Sequence, residues 1–161
     1  MIRLSHTTDM ILVKAIMTDN VIWDESTEDN MNKDLFSPGY DGLSGWLLCE
    51  INGNIAGLIL VHHDNNTTIK IHPYLFNEYR KYGRKMMIEF FKWFLKLDKT
   101  IKKVIVSIPF NRRIVYNFAK KVGFKDEGIN RKSYFKNGET HDQWLLGLTK
   151  KEIKRLVCQQ S

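Results

Sequence analysis

Cysteine is scarce in this sequence, with Cys49 and Cys158 the only two among 161 residues. One lies in an apolar run and the other in a polar tail. Neither a disulfide framework nor a metal-ligand spacing can be built from them, and a reducing compartment fits. His62 and His63 do not change this, because adjacent strand residues point to opposite faces and cannot share one ion. No metal site is expected. Long hydrophobic runs are missing as well. No stretch approaches the ~18 apolar residues of a membrane span, and the opening MIRLSHTTDM has no apolar core of signal-peptide length. The expectation is a cytoplasmic protein with no membrane partner. Proline occurs three times, and no internal repeat, low-complexity segment or interdomain linker is visible. Residues 1–161 therefore read as a single domain.

What is present points to a packed globule. Apolar residues make up 43% and aromatics 12% of the chain, enough burial to offset the entropy of ordering it. Lys plus Arg at 25 against Asp plus Glu at 18 leaves a net charge of +7, which favours an anionic ligand. Nucleic acid is the weakest choice of anion. No groove-reading motif is present, and Trp93 with the phenylalanines around it follows helical spacing, which reads as core rather than as a stacking platform.

Ile2 and Leu4 alternate with polar neighbours as a short strand. Thr7 or Thr8 can cap a following helix in which Met10, Ile11, Leu12, Val13, Ile16 and Met17 repeat at helical spacing. Residues 19–45 are acidic and irregular, anchored by Trp23, Leu35, Phe36 and Tyr40, with a short helix expected over residues 29–36. Substrate contacts are placed in this segment, since loops on a rigid scaffold commonly carry recognition. Its Asp24, Glu25, Glu28 and Asp29 point to a cationic acceptor. Residues 46–51 and 55–61 are β-rich runs joined by Asn52-Gly53, a pair suited to a tight hairpin. The second run is apolar except at Gly57, which predicts burial on both faces. Asp64-Asn65-Asn66 turns the chain into a third strand over residues 67–75. A second buried strand over residues 104–108 ends at Pro109. A helix then follows with Ile114, Val115, Phe118, Ala119 and Val122 on one face and Gly123 at its end. A hairpin about Asn137-Gly138 joins residues 129–136 to 140–148. Thr149-Lys150-Lys151-Glu152 has the spacing of a capping box, opening a last helix.

The chain is organised around residues 71–94. There a short apolar strand runs into the basic segment Glu78-Tyr79-Arg80-Lys81-Tyr82-Gly83-Arg84-Lys85 and then into a helix with Met86, Met87, Phe90, Phe91 and Phe94 on one stripe. Free backbone N–H groups, the positive end of a helix and several cations meet at one place, and such a place binds phosphate.

The order strand, helices, three-stranded meander, basic turn, helix, strand, helix, hairpin resembles the GNAT superfamily of acyl-coenzyme A dependent N-acetyltransferases. The members it looks most like modify ribosomal-protein N-termini or are phage-encoded. The family's cofactor loop reads Arg or Gln, two variable residues, Gly, one variable residue, then Gly or Ala. Arg80 and Gly83 match the first and fourth positions, and Lys85 stands in place of the last small residue. In a second register Gly83 is the final glycine and Lys81 falls where the first belongs. Asn111, followed twelve residues later by Gly123-Phe124, resembles a second family element, and Gly128, Asn137-Gly138 and Asp142 look like the tail of those N-terminal transferases.

The resemblance implies an α/β (α+β) fold, a mixed and mostly antiparallel central sheet of six or seven strands with helices on both faces. It implies acetyl-CoA as cosubstrate and an amine acceptor, either a small molecule or a protein N-terminus, attacked directly in a ternary complex. The cofactor's phosphates would meet backbone N–H groups of Lys81, Tyr82, Gly83, Arg84 and Lys85 and the side chains of Arg80, Arg84 and Lys85. Its amide arm would pair with the strand edge at Tyr74, Leu75 and Phe76, with Asn111 on the other side. His72 is the candidate base and Glu50 its alternative. The family's usual acid, a tyrosine four residues before the Gly-Phe glycine, is Ala119 here, which leaves Tyr116 or Ser107. The rival reading is a catalytically inactive GNAT-fold binding protein, virion-associated or host-protein-binding.

Overall fold

The computed structural model describes residues 1–39, 41–42 and 44–159. Seven strands form one sheet: β1 (Ile2–Thr7), β2 (Ser44–Ile51), β3 (Asn54–Asn65), β4 (Thr68–Leu75), β5 (Lys103–Pro109), β6 (Lys125–Lys136) and β7 (Glu139–Thr149). The helices are α1 (Met10–Met17), α2 (Asn20–Ser26), α3 (Gly83–Leu95), α4 (Arg113–Lys121) and α5 (Lys150–Cys158). Spatial order in the sheet is β1-β2-β3-β4-β5-β7-β6. Every neighbouring pair is antiparallel except β4 with β5.

Period-two alternation divides each strand between two cores. Leu47, Cys49 and Ile51 of β2, Ile69 and Ile71 of β4, and Val104, Val106 and Ile108 of β5 face one side. There they meet Phe90, Phe91 and Phe94 of α3, Ala119 of α4 and Ile153 of α5. Trp46 and Leu58 face the other side, where Val13, Ile16 and Met17 of α1 and Ile22 of α2 cover them. Thus β3 is buried on both faces from Ala56 to Ile59, whereas Ile55, beside the hairpin turn, stays 38% exposed.

Several boundaries differ from those expected. The cap of α1 is Asp9, whose carboxylate accepts the Leu12 N–H at 3.0 Å; Thr7 instead accepts the Asp9 N–H at 3.2 Å. No helix spans residues 29–36, which form turns. The helix of this segment is α2, nucleated by Asp19 Oδ1 accepting from Val21 and Ile22 at 3.0 and 3.1 Å and held by burial of Ile22. Tyr40, expected as an anchor, lies outside the described residues. The basic segment is not an open loop: Asn77–Tyr82 is a 3₁₀ turn that runs straight into α3. The Gly83 N–H is consequently engaged by the Arg80 carbonyl. By contrast α5 starts as expected, with Thr149 and Glu152 forming a reciprocal capping box. Among the described residues no helix is long and apolar enough to cross a membrane.

Candidate active site

The parallel partners β4 and β5 pair over only three positions, Thr68 with Lys103, Ile69 with Val104 and Lys70 with Ile105. Beyond Lys70 they diverge. β4 continues against β3 and β5 against β7, so residues 71–75 have no strand on their β5 side. Pro73, which has no N–H to give a neighbouring strand, sits in the middle of that edge. The gap is a cavity of about 510 Å³, walled by the two strands, floored by Met86 and Met87 of α3 and flanked by Val115 and Phe118 of α4.

Gly57 makes this arrangement possible from the next strand over. It lies opposite Leu75 at φ +153°, and a Cβ built there would stand 2.0 Å from the Tyr74 carbonyl oxygen. Only a residue without a side chain lets β3 close on β4 at that point.

A second cavity of about 340 Å³ lies on the α1–α2 side of the sheet, walled by Trp23, Phe36, Trp46 and Tyr74. Ser26 and Tyr74 line both cavities, so these two side chains stand between them.

At the level of sequence, no family model and no curated protein matches the chain. Solved structures do. Spermidine N-acetyltransferase from Vibrio cholerae, in complex with CoA and spermine, superposes with a TM-score of 0.78 at 13% identity, over 95% of this chain and 98% of that one. An acetyltransferase of the GNAT family from Streptococcus pneumoniae superposes at 0.70 with 14% identity, over 92% of this chain and 99% of that one. The fold is the GNAT fold.

Within this GNAT fold, six of the sequence-selected residues line the notch between β4 and β5: His72, Tyr74, Leu75, Arg80, Gly83 and Ser107. Phe76, Lys81, Tyr82, Arg84, Lys85 and Asn111 do not line it. Gly83 serves a need other than the one expected. Its φ of −51° is ordinary helix, and what its missing side chain leaves is room for Phe118, whose ring would lie 3.3 Å from a Cβ there.

Glu50 and Tyr116 are not brought to the notch. Glu50 lies on β2, where its Oε2 is 3.0 Å from Arg3 Nε. The Tyr116 hydroxyl donates to Asp126 at 3.0 Å, and its ring packs on Trp144 with centroids 4.3 Å apart. Arg112, Lys70, Tyr134 and Gln143 line the notch and were not selected from sequence. For Arg112 the available signal was its place next to Asn111. Tyr134 carried none, since it comes from β6 to donate its hydroxyl proton to the Thr27 carbonyl at 3.0 Å.

The acidic segment is already neutralised. Asp24 lies 3.2 Å from Lys136 Nζ, Glu28 accepts the Phe135 N–H at 2.7 Å, and Asp29 accepts the Gly138 N–H at 2.8 Å. These acids dock the segment onto the β6–β7 hairpin. Glu25 reaches the notch instead. It accepts from Arg80 Nη1 and Nη2 at 3.1 and 2.5 Å and lies 3.8 Å from Arg112 Nη1. One carboxylate thus gathers two guanidinium groups from opposite lips.

Burial pushes His72 down to about 4 from its ordinary 6.5, with the charges of Lys70 and His62 adding to the effect. The His62 ring stands 5.3 Å away and is lowered for the same first reason. Between about 4 and 6.5 the unfolded chain binds a proton at His72 that the native chain does not. The stability owed to neutral His72 is complete above pH 6.5 and is lost as pH falls toward about 4. Denaturant titrations from pH 7 to pH 4 are expected to show this acid limb in the wild type and a shallower one in His72→Phe. Burial also raises the Tyr74 hydroxyl, with Tyr134 adding to it, so that Tyr74 stays protonated. Among the described residues no group of three or more His, Cys, Asp or Glu is placed to hold a metal.

Proposed function

We propose that the protein is an N-acetyltransferase that moves an acetyl group from acetyl-CoA to a primary amine by direct attack in a ternary complex. One observation carries this reading: the unpaired β4 edge at residues 71–75 opens onto a cavity, and a second cavity lies on the other side of Tyr74 and Ser26. The residues fit the cosubstrate. An unpaired strand edge offers N–H and C=O groups to the amides of the pantetheine arm, and Arg80 and Arg112 at the lips suit its phosphates. Bound acetyl-CoA supplies an activated acyl carbon, to which the amine nitrogen bonds as the C–S bond breaks.

The chain's own part is to position and to move protons. Neutral His72 on the β4 edge can accept a hydrogen bond from the amine or from a water throughout the neutral range, but at about 4 it is too weak a base to hold the proton, which passes on to solvent. Tyr74 and Ser107 are the hydroxyls that can return a proton to the leaving sulfur. Positioning in the two cavities supplies most of the acceleration. The rival reading of an inactive binding protein rests on the missing loop glycine and on Ala119. An open notch with charged lips favours turnover.

Glu25 competes with the cosubstrate for its own arginines. Glu25→Gln keeps the hydrogen-bonding shape and removes a negative charge beside the expected phosphates, a repulsion of roughly 1 kcal/mol at solvent-exposed distances. Acetyl-CoA is expected to bind about fivefold tighter to this variant. Calorimetric titration checks it. The reading as a whole is tested by thiol release from acetyl-CoA over an amine panel, where release with no amine would be evidence against it.

A further inference from the structure

The geometry points to the acceptor: a small monoamine with an apolar, preferably aromatic, body, held in the 340 Å³ cavity by Trp23, Phe36, Trp46 and Tyr74. This rests on the acetyltransferase reading and goes beyond it in naming the amine.

Three observations carry it. The first is charge. Of the described residues lining the cavity, Asp41 alone carries a carboxylate, and it also accepts the Ser44 N–H at 2.6 Å. Four other acids of the segment are turned elsewhere: Asp24 to Lys136, Glu25 to Arg80 and Arg112, Glu28 and Asp29 to backbone of the β6–β7 hairpin, while Asp19 caps α2 and Asp34 does not line the cavity. A polycation entering here would have to desolvate several ammonium groups against one carboxylate, which is unfavourable.

The second is the wall. Four aromatic rings present faces or edges to a single ammonium and its apolar body. Their positions are set within the fold. Trp23 packs edge-on against Phe36 with centroids 5.5 Å apart, and the Trp46 indole N–H donates to the Gly39 carbonyl at 3.1 Å. Lys33 Nζ, held by Asn20 Oδ1 at 2.8 Å, already stands 5.9 Å from the Trp23 ring centroid, so the amine's apolar body rather than its charge is what Trp23 has left to meet.

The third is an orphan. Ser26 Oγ is buried without a hydrogen-bond partner among the described residues, and Ser26 lines both cavities. Buried hydroxyls are rarely left unmade. A rotation about χ1 of Ser26 would turn this oxygen to the cavity wall, where it would accept from the amine nitrogen. A monoamine needs no further acceptor than this, and its body fills the aromatic wall.

The test is steady-state thiol release with acetyl-CoA and four acceptors: 2-phenylethylamine, 3-methylbutylamine, spermidine, and a hexapeptide with a free N-terminus. Acetyl-CoA binding is measured separately by calorimetry. The expected kcat/KM for 2-phenylethylamine exceeds that for spermidine and for the peptide at least tenfold, with the alkylamine between. Trp23→Leu is expected to raise KM for 2-phenylethylamine about tenfold and to leave acetyl-CoA affinity unchanged, which also shows that the variant is folded. Acetyl-CoA binding with spermidine or the peptide preferred overturns the acceptor assignment alone, whereas binding with no amine of the panel turned over counts against both the acceptor assignment and transfer itself. No acetyl-CoA binding at all overturns the transferase reading beneath it.

Discussion

Gly57→Ala is expected to cost on the order of 4 kcal/mol of folding stability and to weaken acetyl-CoA binding even in the molecules that remain folded. The added methyl would stand 2.0 Å from the Tyr74 carbonyl oxygen and 2.9 Å from Leu75 Cα. Both are backbone atoms, so no side chain can swing aside. Gly57 also holds φ +153°, a conformation L-residues rarely adopt. Relief requires β4 to move away from β3, and the part of β4 that moves is residues 74–75, the unpaired edge of the notch. Denaturant midpoints measure the stability change. Gly42→Ala is the control, because a Cβ there meets nothing within 4 Å, and it is expected to change stability by less than about 0.5 kcal/mol. An unaltered midpoint for Gly57→Ala would show that β4 is not held as described.

The second large effect belongs to the arginine pair. Arg80 enters the notch from the 3₁₀ turn after β4 and Arg112 from the turn before α4, so under the proposed function a phosphate between them would be held from both lips. Charge-assisted hydrogen bonds of this kind contribute about 1.5–3 kcal/mol each, roughly a tenfold change in affinity or more. Arg80→Ala and Arg112→Ala are each expected to raise the Kd for acetyl-CoA about tenfold, and the double variant to raise it further but not by the product of the two, because both side chains share Glu25. Added salt should narrow the difference, since both side chains are partly exposed. Lys81, Arg84 and Lys85 lie outside the notch. Their alanine variants are expected to change the Kd less than about threefold, even though sequence alone ranked them beside Arg80.

That contrast shows where sequence reading stops. Both Asn-Gly hairpins, the α3 stripe and the α5 capping box are local patterns, each written within about a dozen neighbouring residues. They are legible in the sequence, whereas the parting of β4 from β5 is expected only through the family resemblance. The helix α2 was not, because seven residues with a single buried side chain, Ile22, leave almost no periodicity to read. The acidic run misled for a related reason. Composition shows four carboxylates but not that Asp24, Glu28 and Asp29 find partners more than a hundred residues away on the β6–β7 hairpin. Likewise the basic segment presents four cations in sequence, but a 3₁₀ turn winds them about an axis so that Arg80 faces the notch while Lys81 and Lys85 face solvent. Which residue of a charged run faces a site depends on helical phase, and which distant residue completes it depends on topology.

The central claim is that the divergence of β4 from β5 is a binding site for acetyl-CoA. Calorimetric titration of acetyl-CoA into the wild type and into the Arg80→Ala, Arg112→Ala double variant tests it most directly. The prediction is one site per chain with micromolar affinity in the wild type, weakened more than about tenfold in the double variant while its denaturation midpoint stays put. No binding at millimolar acetyl-CoA, or equal affinity in the two proteins, would contradict it.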